Sequence, residues 1–182
     1  PPQGTQRNAV AAGNAVKGLP RGYGMGAQRL FDQQDHPHGQ TLGGENAVIG
    51  GKLPIADSAC VTGDSGTLVC ESCEFVDSFL QFSPDISVLL NIDNDHLDYF
   101  GDLNGVVASF KKFAEGAEQC VIANADDAPT MRAVANISAE KLVTYGHDIA
   151  FDWSAQNVGT HDGAFGEYDL YHKGTFFAHI RL

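Results

Sequence analysis

The spacing of apolar residues divides this chain into three parts, and each has a different character. Up to about residue 46 the sequence is rich in Gly, Gln, Arg and Ala and keeps neither a helical nor a strand period, so it predicts no core there. From Val48 to Gly146 short apolar runs alternate with helical patterns, the signature of a parallel sheet joined by crossover helices. The predicted strands are 67–70, 86–92, 119–123 and 141–145. Leu103, Val106, Val107, Phe110, Phe113 and Ala114 recur at intervals of three and four and predict an amphipathic helix, with Asp102 as its N-cap. A shorter helix is predicted over 128–135, following Asp126-Asp127, with Pro129 accommodated in its first turn. Beyond Phe151 the period becomes two. Tyr168 and Leu170 share one face, Lys173-Gly174 forms a turn, and Phe176, Ala178 and Ile180 follow. This predicts an antiparallel hairpin with an earlier strand around 153–158, a ribbon covering an edge of the parallel sheet.

The apolar run 86–90 opens directly onto Asn91-Ile92-Asp93-Asn94-Asp95-His96-Leu97-Asp98-Tyr99-Phe100, which holds one histidine and three carboxylates. Open α/β sheets bind ligands beyond the carboxyl ends of their strands, so a polar cluster at this point is the first candidate for chemistry. A solvated loop with an N-cap aspartate is the alternative. The preceding strand ends in a second acidic turn, Cys70-Glu71-Ser72-Cys73-Glu74-Phe75. Glu71 and His96 are therefore expected at the same sheet edge, where a carboxylate oxygen and an imidazole nitrogen suit a divalent cation that bridges phosphates. A surface pair with no metal is the other possibility.

Composition narrows the partners. The chain has 182 residues, 43% of them apolar, enough for one core. Eleven Lys and Arg against 23 Asp and Glu leave a net charge of −12, which argues against nucleic acid or an anionic membrane as a partner. No apolar run approaches a membrane span and no signal peptide is visible, so the cytoplasm is the expected compartment. Cys70 and Cys73 have the C-x-x-C spacing of zinc and redox sites, but Cys60 and Cys120 form no second pair. A thiol-metal protein is kept as a distant alternative.

Three segments together resemble one family. Ile49-Gly50-Gly51-Lys52-Leu53-Pro54, the run Cys70-Glu71-Ser72-Cys73-Glu74-Phe75-Val76-Asp77-Ser78-Phe79-Leu80, and Asn91 to Phe100 are similar to the central domain of the Mur ligases. The likeness continues through Phe110, Phe113, Asn124-Ala125-Asp126-Asp127 and Tyr145-Gly146, and the E-x-C-E-x-x-x-S-F-L run favours the alanine-adding branch. The resemblance implies a P-loop-type α/β domain over 48–182, incomplete at both ends, with a C-terminal antiparallel ribbon. It implies an ATP- and Mg2+-dependent amide ligase of peptidoglycan precursor synthesis. In that reaction the carboxylate of UDP-N-acetylmuramate is activated as an acyl phosphate and the amine of L-alanine displaces phosphate. Glu71 and His96 match the family's metal ligands and are the implied catalytic pair. Ser72, Glu74 and Asp98 are candidates for the substrate cleft, with ordinary turn roles as the alternative. Asp95 and Asp98 either orient His96 through its second ring nitrogen or cap the following turn. Lys111 lies where sister ligases carry a carbamylated lysine, but the alanine-adding branch generally lacks it, and it is expected to be solvated. A sister enzyme such as a folylpolyglutamate-type ligase, or a non-catalytic or decayed version of the domain, are the competing readings.

One departure stands out. The family's G-T-x-G-K-T-T phosphate loop, whose amides and lysine grip phosphates, is not found: Gly24-Met25-Gly26-Ala27 lacks the lysine, and Lys17 is followed by Gly18. Pro1 at the start and a strand pattern still running at Leu182 suggest a piece of a longer protein, expected to be inactive alone. Residues 1–47 are left unassigned, either disordered or frame-shifted. Gln34-Asp35-His36-Pro37-His38 can be encoded CAA GAC CAC CCC CAC, and a one-base shift reads AAG ACC ACC CCC, or Lys-Thr-Thr-Pro. Resequencing the encoding DNA is expected to reveal a frame break before Val48; an uninterrupted frame through residue 46 overturns that explanation.

Overall fold

The structure, a computed structural model, describes residues 8–9, 46–53, 58–62, 67–163 and 165–182. The expectations for residues 1–47 lie almost wholly outside these. In chain order the strands are β1 (Asn8–Ala9), β2 (Asn46–Leu53), β3 (Ser58–Val61), β4 (Thr67–Cys70), β5 (Ile86–Leu89), β6 (Cys120–Asn124), β7 (Leu142–Gly146), β8 (Trp153–His161), β9 (Phe165–His172) and β10 (Thr175–Arg181). A 3-10 segment covers Phe75–Gln81, and the α-helices are α1 (Leu97–Phe100), α2 (Leu103–Glu115) and α3 (Ala128–Ala133).

Among the described residues the strands form two sheets, ordered β1-β4-β2-β3 and β10-β9-β8-β7-β6-β5. In the larger sheet β5, β6, β7 and β8 run parallel, while β8, β9 and β10 are antiparallel. β8 thus belongs to both patterns. It pairs with β7 at Tyr145↔Trp153 and Gly146↔Ser154, so the ribbon covers the β7 edge by extending the sheet. In the smaller sheet β2 lies parallel to β4 and antiparallel to β3, a strand that the apolar pattern did not suggest.

Helix α2 forms where the three-four pattern placed it. The Asp102 carboxylate accepts from the Gly105 backbone N–H at 2.9 Å and caps the first turn. Its apolar stripe buries Val106, Val107, Phe110, Phe113 and Ala114. Phe79, fully buried, stacks on Phe113 with centroids 4.8 Å apart and meets Phe110 edge-on at 5.1 Å. Leu89, Val121 and Ala123 of β5 and β6 complete this core.

The segment Asn124-Ala125-Asp126-Asp127 ties three strand ends together. Asn124 donates from Nδ2 to the Leu90 carbonyl at 2.9 Å, and Asp127 accepts from the Ile92 N–H at 3.1 Å while capping α3 through Thr130 N–H at 2.9 Å. These side-chain bonds take the place of ladder bonds after Leu89↔Ala123, and β5 ends there and not at Ile92. Asp126 Oδ2 accepts from the His147 backbone at 2.9 Å beside Gly146. A Cβ on Gly146 would lie 2.6 Å from that oxygen, so a larger residue there would displace the Asp126 carboxylate.

Phe79→Ala is expected to cost about 3–5 kcal/mol, the usual toll for deleting a buried aromatic ring. Asp127→Ala is expected to cost less, about 1–3 kcal/mol, for the lost cap and the orphaned Ile92 N–H. Urea unfolding midpoints at constant m-value measure both, and the reverse order would contradict this packing.

Candidate functional site

The strands expected to share a sheet edge lie in different sheets, β4 in the smaller and β5 in the larger, and the short turns that follow them meet. After β4, Glu71 is still held to the smaller sheet by its N–H, which donates to the Val48 carbonyl at 2.8 Å. The chain then turns through Ser72 and Cys73 into the 3-10 segment, where Val76 (φ 55°) and Asp77 (φ 57°) adopt left-handed conformations. For β-branched Val76 this is a costly geometry, about 1–3 kcal/mol, and such costs concentrate at functional sites. Asp77 N–H donates to the Glu74 carbonyl at 2.9 Å, and Ser78 Oγ donates to the Cys73 carbonyl at 2.7 Å.

After β5 the second turn has a matching form. His96 is also left-handed (φ 52°), its N–H donates to Asp95 Oδ1 at 2.7 Å, and its carbonyl accepts from Tyr99 N–H at 2.9 Å. The imidazole comes to rest against the acidic turn. Its Nε2 lies 3.7 Å from Glu74 Oε1, its Nδ1 lies 3.6 Å from Asp95 Oδ1, and its ring sits 4.7 Å from the Phe75 ring. Among the described residues, Glu74, Asp95 and His96 each present one ligand atom within 4.8 Å of the others. Separations near 3.7 Å are too long for hydrogen bonds. The two contacts use opposite ring nitrogens, so an ion here could take only one of them together with carboxylate oxygens, a donor set of the kind that holds a divalent cation.

The predicted residues are therefore distributed unevenly. His96 is in the cluster. Glu71 is exposed at the end of β4 and lies outside it, while Glu74, three residues on, is the acidic-turn carboxylate nearest the imidazole. Ser72 is buried with its Oγ unpartnered. Asp98 is exposed in the first turn of α1. Asp95 both caps the His96 N–H and flanks its ring. Lys111 lies 3.8 Å from Glu115 on the half-exposed face of α2, an ordinary i,i+4 pair. Cys70 is buried, and burial, with smaller contributions from Cys60 and Glu71, pushes its thiol up to about 11. It stays a neutral thiol near pH 7. A hollow of about 140 Å3 lined by Tyr145, Trp153, Ser154, Tyr168 and Leu170 contains none of the cluster residues and is smaller than the roughly 300–1,000 Å3 of most ligand sites.

Sequence reasoning overlooked Asp77. Its carboxylate accepts from Tyr99 Oη at 3.0 Å and, through the other oxygen, from Ser109 Oγ of α2. The only advance signal was that Asp77 and Tyr99 sit inside the two motif segments.

Comparison with known proteins places this geometry in a family context. Residues 53–181 match the model of the Mur ligase middle domain. The chain is 34% identical over 155 residues to the UDP-N-acetylmuramate–L-alanine ligase of Caldanaerobacter subterraneus, an alignment covering 84% of the chain and 32% of that relative. It is 41% identical over 131 residues to the ligase of that name from Caldicellulosiruptor saccharolyticus, covering 70% of the chain and 28% of the relative. The chain thus spans about a third of these curated relatives. Among solved structures, the UDP-N-acetylmuramate–alanine ligase of Thermotoga maritima superposes with a TM-score of 0.62 at 20% identity, over 76% of this chain and 30% of that one. The MurF ligase of Thermotoga maritima, solved in complex with ADP, gives 0.54 at 16% identity over 75% of this chain and 34% of its own.

The hydrogen bond to Asp77, then partial desolvation and the Asp77 charge, hold the Tyr99 phenol above its ordinary value of 10.0. A raised folded pKa means the bond contributes in full below pH 10 and is lost as pH rises through the elevated value. Ring-carbon NMR is expected to give Tyr99 a midpoint above that of free tyrosine, and Asp77→Asn is expected to lower it; an unmoved midpoint would contradict the bond.

Proposed function

The chain belongs to the Mur ligase family through its middle domain, and from that premise we propose that it is part of an ATP-dependent ligase joining L-alanine to UDP-N-acetylmuramate in peptidoglycan precursor synthesis. The observation that carries this reading is the meeting of His96 with the acidic turn at the carboxyl ends of β4 and β5. ATP and UDP-N-acetylmuramate are both anionic, and the chain carries a net charge of −12. A cation between the phosphates and such an edge would offset their mutual repulsion.

His96 is assigned as one ligand of a Mg2+ ion. The acidic turn supplies carboxylate, with Glu71 assigned by family resemblance and Glu74 favoured by its distance to the imidazole. The bound ion would stabilise the charge shared by ATP and the acyl phosphate oxygen. The residues of the chain do the positioning. Asp95 holds the His96 backbone and flanks Nδ1, and Phe75 packs on the ring and limits its rotation. Ser72, whose buried Oγ has no partner, is assigned with Glu74 and Asp98 to the substrate side of the cleft. In the reaction the muramate carboxylate oxygen takes the γ-phosphoryl group from ATP, releasing ADP. The L-alanine nitrogen then attacks the acyl carbon, and phosphate leaves with the former carboxylate oxygen.

One feature favours a second reading, a version of the domain that folds but does not catalyse. No G-T-x-G-K-T-T loop occurs in the 182 residues, so the backbone cradle for the phosphates has no counterpart in this sequence.

Mn2+ titration followed by water-proton relaxation is expected to detect one site, weakened about tenfold or more by His96→Ala, with Glu71→Gln and Glu74→Gln ranking the two carboxylates. Binding untouched by His96→Ala would remove the cation from this edge. The purified chain, given ATP, L-alanine and UDP-N-acetylmuramate, is expected to release no phosphate above background. Release that depends on L-alanine would contradict that expectation and exclude the non-catalytic reading.

A further inference from the structure

We propose that Asp77 and Tyr99 are positioning residues, a clamp that fixes the distance between His96 and the acidic turn. The two turns are built alike, approach each other at one end and are hydrogen-bonded at the other. In one, Asp77 N–H bonds the Glu74 carbonyl at 2.9 Å; in the other, Tyr99 N–H bonds the His96 carbonyl at 2.9 Å. Each turn therefore carries a cluster residue at its start and a clamp residue three positions later. At the first end Glu74 and His96 face each other at 3.7 Å, and at the second Tyr99 Oη donates to Asp77 Oδ2 at 3.0 Å. Closing the second end sets the opening of the first.

Asp77 refers the clamp to the core. Its other oxygen accepts from Ser109 Oγ, a buried side chain on α2 one residue before Phe110, which packs on Phe79. The turn is thus tied to one helix by two neighbouring contacts, an aromatic pair and a charged hydrogen bond. Asp77 reaches this position only by taking a left-handed backbone together with Val76. A turn with nothing to hold would relax that conformation. Tyr99 is 45% exposed, so its ring contributes little to the core and its hydroxyl is the part the arrangement uses.

The proposal rests on the cation reading for its consequence in binding, but not for its geometry, and the test separates the two. Tyr99→Phe removes one hydroxyl and no packing. Asp77→Asn keeps a residue that tolerates the left-handed backbone while replacing the acceptor oxygen, and leaves the Tyr99 hydroxyl in place. In the metal-free chain, both variants are expected to shift the His96 ring NMR signals and weaken the Phe75–His96 NOE, with the thermal midpoint of Tyr99→Phe almost unchanged. In Mn2+ titrations both are expected to lose affinity by about tenfold, the effect typical of groups that orient metal ligands. Loss in Tyr99→Phe without loss in Asp77→Asn would make the hydroxyl itself a ligand and overturn the clamp. Unchanged His96 signals in both variants would also overturn it. If the parent chain binds no Mn2+, the cation reading falls and the NMR signature alone decides the clamp, a shift supporting it and no shift refuting it.

Discussion

Everything at the candidate site depends on where one ring goes. The acidic turn leaves a strand of the smaller sheet and the histidine turn leaves a strand of the larger one, and the described strands of the two sheets share no hydrogen-bonded ladder. Phe79 makes the connection. Its ring, fully buried, lies flat on Phe113 and edge-on to Phe110, so the segment following the acidic turn is bolted to the helix following the histidine turn. The burial of a phenyl ring is worth a few kcal/mol, more than any polar contact at this surface edge. The polar bonds of Asp77 refine a placement that the aromatic contact establishes.

Much of this was legible because it is local. The stripe from Leu103 to Ala114, the Asp102 cap, the Asp127 cap with Pro129 behind it and the Lys173-Gly174 turn each follow from a spacing or a residue type within one element. What escaped was set by partners distant in sequence. β5 stops at Leu89, beyond which Asn124 and Asp127 capture the Leu90 carbonyl and the Ile92 N–H, and no feature of 86–92 announces that. β3 forms by pairing with β2, and its four residues, Ser58 to Val61, are too few to show a period.

The site divides along the same line. His96 was identifiable as the imidazole at a strand end. Its carboxylate partner is named by two different signals, Glu71 by the family resemblance and Glu74 by its distance to the ring. The left-handed pair Val76-Asp77 bends the segment so that Glu74 lies nearest the ring. A β-branched residue with positive φ runs against local preference, and local preference is all that a single sequence exposes. Such conflicts are expected where function has selected the geometry, which is also why the Asp77 contacts could be found only in three dimensions.

The motif residues shared with the Mur ligases therefore serve two different ends. Asn124, Asp126, Asp127 and Gly146 bind strand ends to one another: the close approach of Gly146 to Asp126, like the cap on α3, is scaffold. His96 and the acidic turn project from that scaffold and carry the candidate ligand atoms. The separation means that fold and catalytic competence can part company. A chain that keeps Asn124, Asp127 and Gly146 retains the ties that shape this edge, whether or not phosphates can be gripped beside it.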